Sequence, residues 1–308
     1  MFIISLIILI LLYSLLSISI SNTNNIELID IGNNINIRII RWGNKNDNKE
    51  IPIILIHGLA SNALLWEGAA IELLKLGHSS IAIDLRGHGN SSKPDDGYDM
   101  DTVTSDISKL LVILSEKEGI TKPILCGQSW GGNLVIEVAH KYKHLISGVC
   151  TVDGGFIQLS NKYSNFDQCW DVLQPPYLIG KNVNEIRNYF KKAHPDWSET
   201  AFNGMMSNFE VDANDTIKPF LTYDRHKLVL KGLWEHYPSL LYHEIEVPVL
   251  FLVVQGGSFY DDKVKMIDKA QQVIPRCKVI WFIADHDLHA QHPQKFASEV
   301  NKWFNKLS

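Results

Sequence analysis

Short apolar runs of strand length recur along the chain, at residues 51–56, 79–84, 123–127, 146–152, 247–254 and 277–283. Runs this apolar on both faces are typical of strands buried within a parallel sheet. Over residues 22–156 they alternate with segments of helical pattern, as a doubly wound sheet requires. Residues 27–31 and 35–42, around Gly32, resemble a hairpin. The pattern predicts an α/β protein.

The pattern changes between residues 157 and 243, where strand signals vanish and Trp, Tyr, Phe, Pro and Met accumulate. Strand signals return over residues 244–308. We therefore predict a core made of residues 22–156 and 244–308, with residues 157–243 inserted into it. Most of the inserted aromatic side chains are expected to form their own core, and a few to line an apolar pocket.

The most informative segment is Gly127-Gln128-Ser129-Trp130-Gly131, which follows an apolar run and precedes the helical pattern of residues 133–142. Strand, G-x-S-x-G and helix in this order form the context of a nucleophile elbow. A serine in such a sharp turn takes a strained backbone conformation. Glycines two residues before and after it avoid side-chain clashes. Ser129 is the candidate nucleophile.

A second motif, His57-Gly58-Leu59, follows the run at residues 51–56. Together with the elbow it resembles the α/β-hydrolase superfamily, in the serine-nucleophile branch with a helical cap that includes esterases and lipases. The resemblance implies an eight-stranded, mostly parallel sheet, with residues 157–243 as the cap. It also implies that the N–H groups of Leu59 and Trp130 form an oxyanion hole, and that His57 shapes its loop rather than transferring protons.

The segment from Asp84 to Gly89 resembles the Asp-x-Arg-Gly-His-Gly loop of the same superfamily, which is structural. Asp84 and Arg86 are expected to pair locally.

The superfamily's catalytic histidine lies in a loop after the last strand, seven residues before a proline that opens the final helix. His286 and Pro293 fit this spacing. His289 and His292 are nearby competitors. A serine nucleophile needs such a base because its hydroxyl reacts weakly at neutral pH.

The acid departs from the superfamily's common pattern. Gly257 stands where an Asp is usual after the strand at residues 247–254, and Asp261 and Asp262 follow a few residues late. Asp153 ends the strand at residues 146–152, a position that some relatives use. We predict Asp153 as the acid, with Asp261 or Asp262 as the alternative; an Asp before two glycines also suits a simple turn.

The composition of the chain bears on which binding partners and cofactors we expect. The 308 residues are 45% hydrophobic and 20% charged, with a formal net charge of −5. No Lys/Arg-rich run and no Cys/His metal spacing occurs in the sequence, so we expect neither nucleic acid nor a metal or other cofactor. Residues 2–20 carry no charge and are mostly Ile and Leu. We read residues 1–21 as a signal peptide or membrane anchor, which places the protein in the secretory pathway, secreted or membrane-anchored.

The resemblance implies a serine hydrolase that cleaves a carboxylic ester of a small apolar substrate through an acyl-enzyme. A serine at the elbow disfavours the dehalogenase and epoxide-hydrolase branches, which use an Asp nucleophile. An aminopeptidase or lactonase on the same residues stays open, as does a non-catalytic binding protein on a hydrolase scaffold. The oligomeric state is left open.

Overall fold

A computed structural model describes residues 25–43, 51–257 and 260–307. The predicted leader at residues 1–21 lies outside this range, so its role stays a prediction. Within the described ranges, no helix is both long and apolar enough to cross a membrane.

One sheet of eight strands organises the fold. In chain order the strands of the structure are β1 Asn25–Asp30, β2 Asn36–Trp42, β3 Ile53–Ile56, β4 Ser80–Ile83, β5 Ile124–Gln128, β6 Gly148–Val152, β7 Phe209–Val211, β8 Ile217–Pro219, β9 Val249–Val254 and β10 Cys277–Phe282. The sheet order is β1-β2-β4-β3-β5-β6-β9-β10. β2 pairs antiparallel with β1 and β4, and the other neighbours are parallel. The predicted N-terminal hairpin and the predicted mostly parallel sheet are both present.

Helices cover both faces of this sheet. The core helices are α1 Glu67–Lys75, α2 Met100–Glu118, α3 Trp130–Lys141, α9 Tyr260–Val273, α10 Leu288–Gln291 and α11 Pro293–Phe304. Alternate strand residues belong to different apolar clusters: Ile54, Leu125 and Val149 to one, and Ile53 and Cys126 to the other. This explains why the strand sequences are apolar throughout instead of alternating with polar residues.

Residues 157–243, which we call the cap region, lie between β6 and β9. They contain α4 Phe166–Leu173, α5 Val183–Ala193, α6 Glu199–Met206, α7 Tyr223–Trp234 and α8 Pro238–Leu241, together with the hairpin of β7 and β8. We predicted no strand here. Each of the two strands has only three residues, which is too short to show a periodic pattern.

The expected pairing of Asp84 with Arg86 is wrong. The Asp84 carboxylate lies 2.6 Å from Arg38 Nε, on the neighbouring strand β2. Arg86 instead makes two hydrogen bonds to Asp106 of α2, at 2.6 and 2.8 Å. Both pairs are buried, and each joins residues that only the tertiary fold brings together.

The carboxyl ends of the parallel strands meet at one edge of the sheet. His57, Ser129 and Asp153 each come directly after such a strand end, and His286 comes four residues after β10. The fold therefore gathers the candidate residues of four separate sequence segments at a single edge.

Candidate active site

Ser129 occupies the turn between β5 and α3. Its backbone angles are φ 53° and ψ −117°, a conformation that costs energy for a residue with a side chain. The turn is held because the Ser129 N–H donates to Val152 O at 2.9 Å. A Cβ on Gly127 would lie 2.1 Å from Gly131 O, so the glycine spacing of the elbow is a steric requirement of the turn.

The structure brings Asp153 and His286 into contact. Asp153 Oδ2 lies 2.6 Å from His286 Nδ1. The His286 side chain is 51% exposed, whereas that of Asp153 is 6% exposed. The Gln128 side-chain amide donates to the His286 carbonyl at 3.4 Å, which ties the histidine loop to the elbow.

The second oxygen of Asp153 is also occupied. Oδ1 accepts from Lys263 Nζ at 2.8 Å and from the Val254 N–H at 3.1 Å. Asp153 itself has a φ of 41°, so these contacts hold a strained residue in place. The carboxylate is thus oriented from the sheet on one side and from α9 on the other.

The alternative acids lie elsewhere. Asp261 and Asp262 form the first turn of α9, and Asp261 is exposed. In the part of the chain that the structure describes, the carboxylate hydrogen-bonded to His286 is that of Asp153.

Burial and charge act in opposite directions on this pair. Partial shielding of the His286 ring from water lowers its pKa, but the hydrogen bond and the charge of Asp153 outweigh this effect, so the pKa lies above its ordinary value of 6.5. Burial likewise raises the pKa of Asp153, while His286 and Lys263 outweigh this and hold the pKa below its usual range. A charged carboxylate beside an imidazole that readily accepts a proton suits general-base chemistry.

The competing histidines have different surroundings. His289 is fully buried with its ring 4.0 Å from that of Trp66, and burial lowers its pKa to about 3. His292 precedes Pro293 at the start of α11. Neither lines the cavity described below.

His57 and His88 build the loop that carries Leu59. His57 Nδ1 donates to Gly58 O at 2.7 Å, and its Nε2 accepts from the Leu85 N–H at 3.0 Å. His88 Nε2 accepts from the Ala60 N–H at 3.3 Å. Both nitrogens of His57 are therefore engaged with backbone.

One predicted oxyanion donor, Trp130, belongs to the elbow, and the other, Leu59, lies on the neighbouring loop after β3. Leu59 lines the cavity, and a Cβ on the preceding Gly58 would lie 3.1 Å from Ser129 Cβ. Trp130 is the first residue of α3, where an N–H has no partner within the helix. Its indole is completely buried, with its ring 5.5 Å from that of His88.

A cavity of about 400 Å³ opens beside Ser129 and His286. Its walls come from the core and the cap region and are mostly apolar: Leu59, Leu65, Pro175, Pro176, Tyr177, Leu178, Ile179, Phe190, Trp197, Met205, Phe209, Phe220, Leu221 and Tyr223. The size and lining match a site for a small molecule.

Lys263 is a site residue that the sequence reasoning missed. It falls at the spacing of Met266, Ile267 and Ala270 on the buried face of α9. This i, i+3, i+4, i+7 spacing was a usable signal, because a lysine on an apolar helix face needs an anionic partner.

Known proteins resemble this chain in sequence over part of their length. A family model described as the alpha/beta hydrolase fold matches residues 51–293. A 2-(acetamidomethylene)succinate hydrolase of Mesorhizobium japonicum is 35% identical over 103 residues, 33% of this chain and 35% of the relative. A soluble epoxide hydrolase of Corynebacterium sp. is 27% identical over 173 residues, 56% and 51% of the two chains. A putative non-heme chloroperoxidase of Synechocystis sp. is 38% identical over 91 residues, 30% and 32%. The matches thus span about a third to a half of the length of these curated relatives.

Solved structures resemble nearly the whole described chain. The crystal structure of an E-2-(acetamidomethylene)succinate hydrolase superposes with a TM-score of 0.75 at 20% identity, covering 91% of this chain and 98% of that one. A thioesterase domain from the curacin biosynthetic pathway gives 0.73 at 20% identity, covering 91% and 99%. At this identity the likeness concerns the fold.

Proposed function

Since the chain belongs to the α/β-hydrolase fold family, we propose that it is a hydrolytic enzyme, and more closely a serine hydrolase. Its substrate is a carboxylic ester, or a related acyl bond, of a small apolar molecule, and its reaction passes through an acyl-enzyme. Ser129 is the nucleophile, His286 the base and Asp153 the acid. The N–H groups of Leu59 and Trp130 form the oxyanion hole.

The contact between Asp153 and His286 carries this proposal. A hydrogen bond of 2.6 Å to Nδ1 leaves Nε2 of the same ring as the proton acceptor. Ser129 and His286 both line one cavity. The order nucleophile, acid, histidine along the chain is the one used by α/β-hydrolases.

Each residue has a defined task. His286 takes the Ser129 proton as Oγ attacks the ester carbonyl carbon, and the carbonyl oxygen becomes the oxyanion held by the two N–H groups. When the tetrahedral intermediate collapses, the C–O bond to the alcohol breaks and His286 returns the proton to the leaving oxygen. His286 then takes a proton from a water molecule, which attacks the acyl carbon. The bond to Ser129 Oγ breaks, His286 returns the proton to Oγ, and the carboxylic acid product leaves. Asp153 orients the ring and stabilises its protonated form.

The cavity supports the substrate class. Its walls are mainly aliphatic and aromatic, and the polar side chains among them come both from the core, as Ser129 and His286, and from the cap region, as Lys218 and Thr222. Apolar surface offers binding energy of roughly 25 cal/mol per Å² removed from water. An ester with a compact apolar acyl or alcohol part fits this distribution.

The test is labelling by a fluorophosphonate probe, combined with turnover of p-nitrophenyl esters of increasing acyl length. Aminoacyl and lactone substrates are assayed beside them, because the same three residues serve those reactions in other proteins. We expect labelling and ester turnover in the wild type, and loss of both in Ser129→Ala with the fold retained. A wild-type protein that neither labels nor turns over any of these substrates would show a binding protein instead. A Ser129→Ala variant with near wild-type turnover would remove Ser129 from the nucleophile role.

A further inference from the structure

Lys263 lies directly behind the contact between Asp153 and His286. It sits one turn into α9 and is 8% exposed. Its ammonium donates to Asp153 Oδ1 at 2.8 Å and to the Val254 carbonyl at 2.9 Å. The same ammonium lies 5.6 Å from the ring centre of Phe156. The cation therefore faces a carboxylate, a carbonyl and an aromatic ring.

A lysine buried to this extent has to be compensated. Removing an ammonium from water costs several kcal/mol in proteins unless it is paired and hydrogen-bonded. Lys263 has such partners, and Asp153 is the charged one. The outcome is a chain of contacts that runs from the buried Lys263 through the two oxygens of Asp153 to the half-exposed His286.

The two oxygens of the Asp153 carboxylate bind different partners. Oδ1 is held by Lys263 and by the Val254 N–H, and only Oδ2 faces His286. Two donors on Oδ1 oppose rotation of the carboxylate about its bond to Cβ. Oδ2 is thereby kept directed at Nδ1.

We propose that Lys263 is a positioning residue of the hydrolase site: it orients Asp153 toward His286, and its charge sets the pH at which His286 becomes a neutral base. The catalytic consequence of this orientation rests on the proposed function. The effect of the Lys263 charge on His286 is a property of the folded protein and does not depend on that function.

The charges around His286 show why one cation matters. Asp153 and Asp287 favour the imidazolium and raise the pKa of His286, whereas burial and Lys263 lower it. His289 lies on the adjacent short helix with its own pKa lowered to about 3, and so contributes no charge at neutral pH. From the cap region, His194 pairs with Asp285 at 3.0 Å. Lys263 is therefore the ammonium that opposes two carboxylates.

Three substitutions separate the hydrogen bond from the charge. Lys263→Gln can still donate to Asp153 but carries no charge, Lys263→Arg keeps the charge, and Lys263→Met removes both. Lys265→Met is the matched control, since Lys265 is exposed on the same helix. For each variant we would measure kcat and KM on the best ester, the pH profile of kcat/KM, and the pH titration of the His286 imidazole by NMR.

We expect the His286 titration and the acid limb of kcat/KM to move to higher pH by about one unit in Lys263→Gln, as loss of a nearby cation requires. Lys263→Arg should stay near the wild-type position. Lys263→Met should also lose about 10- to 100-fold in kcat with little change in KM, as other outer partners of active groups do. Lys265→Met should match the wild type in every measurement.

A purely structural lysine gives a different result. If Lys263→Gln lowers the melting temperature while His286 titrates at the wild-type pH, or if Lys265→Met moves the titration equally, the proposal is wrong. Lys263→Met provides the same comparison should the glutamine variant not fold. The NMR titration does not depend on turnover, so a wild type without ester or probe activity would refute the proposed function and still leave the effect of Lys263 measured.

Discussion

Two kinds of histidine environment lie at the same edge of the sheet. His286 is half-exposed, is bound to a carboxylate and has a raised pKa. His57 is fully buried, has both ring nitrogens hydrogen-bonded to backbone groups, and has a pKa lowered to about 4 by burial. His289 is buried against a tryptophan ring. A carboxylate partner and access to the cavity, rather than the imidazole itself, therefore distinguish the proposed base from the other two histidines.

The structural histidines still matter to the site. His57 and His88 hold the loop between β3 and α1, where Leu59 lies and where Ala60 has a φ of 56°. A neutral imidazole supplies one donor and one acceptor, so His57 can join a carbonyl of its own loop to the Leu85 N–H of the loop after β4. Such a histidine affects activity only through the position of the loop.

The largest effect is expected from removing the base. His286→Ala should lower kcat by about 10⁴-fold or more, because the members of a catalytic triad act as a unit. His289→Ala is the matched control from the next turn, and it should keep most of the activity. Steady-state kinetics on the best p-nitrophenyl ester distinguishes them. If His289→Ala is the inactive variant, the contrast between the two histidines is misassigned.

Asp153→Asn should follow, with a kcat roughly 10⁴-fold lower and KM little changed. The neutral amide cannot stabilise the His286 imidazolium and favours the wrong tautomer. Asp261→Asn and Asp262→Asn serve as controls at the rival acid positions and should change kcat less than about threefold, as expected for polar groups away from the pair. An inactive Asp261 or Asp262 variant beside an active Asp153→Asn would reverse the assignment.

The pH dependence sharpens the same contrast. Asp153 raises the pKa of His286, and in the proposed mechanism only the neutral ring can take the Ser129 proton. Activity should therefore be present at higher pH and be lost as the pH falls through that pKa. The acid limb of kcat/KM should lie above pH 6.5, the ordinary histidine value. An acid limb near pH 4 would instead match a buried histidine such as His57.

The smallest effect concerns stability. His57→Ala leaves the Leu85 N–H without its buried acceptor, which should cost about 1–3 kcal/mol of unfolding free energy. Urea denaturation at neutral pH measures this directly. His243→Ala is the control, because the His243 side chain is 67% exposed and its loss should be within about 0.5 kcal/mol. If the two variants have the same free energy of unfolding, His57 does not stabilise the fold in this way.

The sequence by itself determined the parts of this protein that depend on local sterics and local pattern. Sequence runs that are apolar at every position predicted the central strands, because a strand covered by helices on both faces has no polar side. The glycines around Ser129 predicted the elbow, because side chains at those positions would collide with the turn's own backbone. The spacing from His286 to Pro293 covers only the short helix α10 and the start of α11, so it is local as well.

Only the tertiary structure decided which distant groups meet. Asp153 and Asp261 were both compatible with the chain order, and the contact with His286 depends on how three strand ends and α9 are placed in space. Arg38 and Lys263, the cations beside Asp84 and Asp153, come from segments 46 and 110 residues away. Partners of buried charges are selected by geometry, because a strong ion pair requires contact within about 4 Å. The local sequence around each residue does not indicate which distant residue lies within that distance.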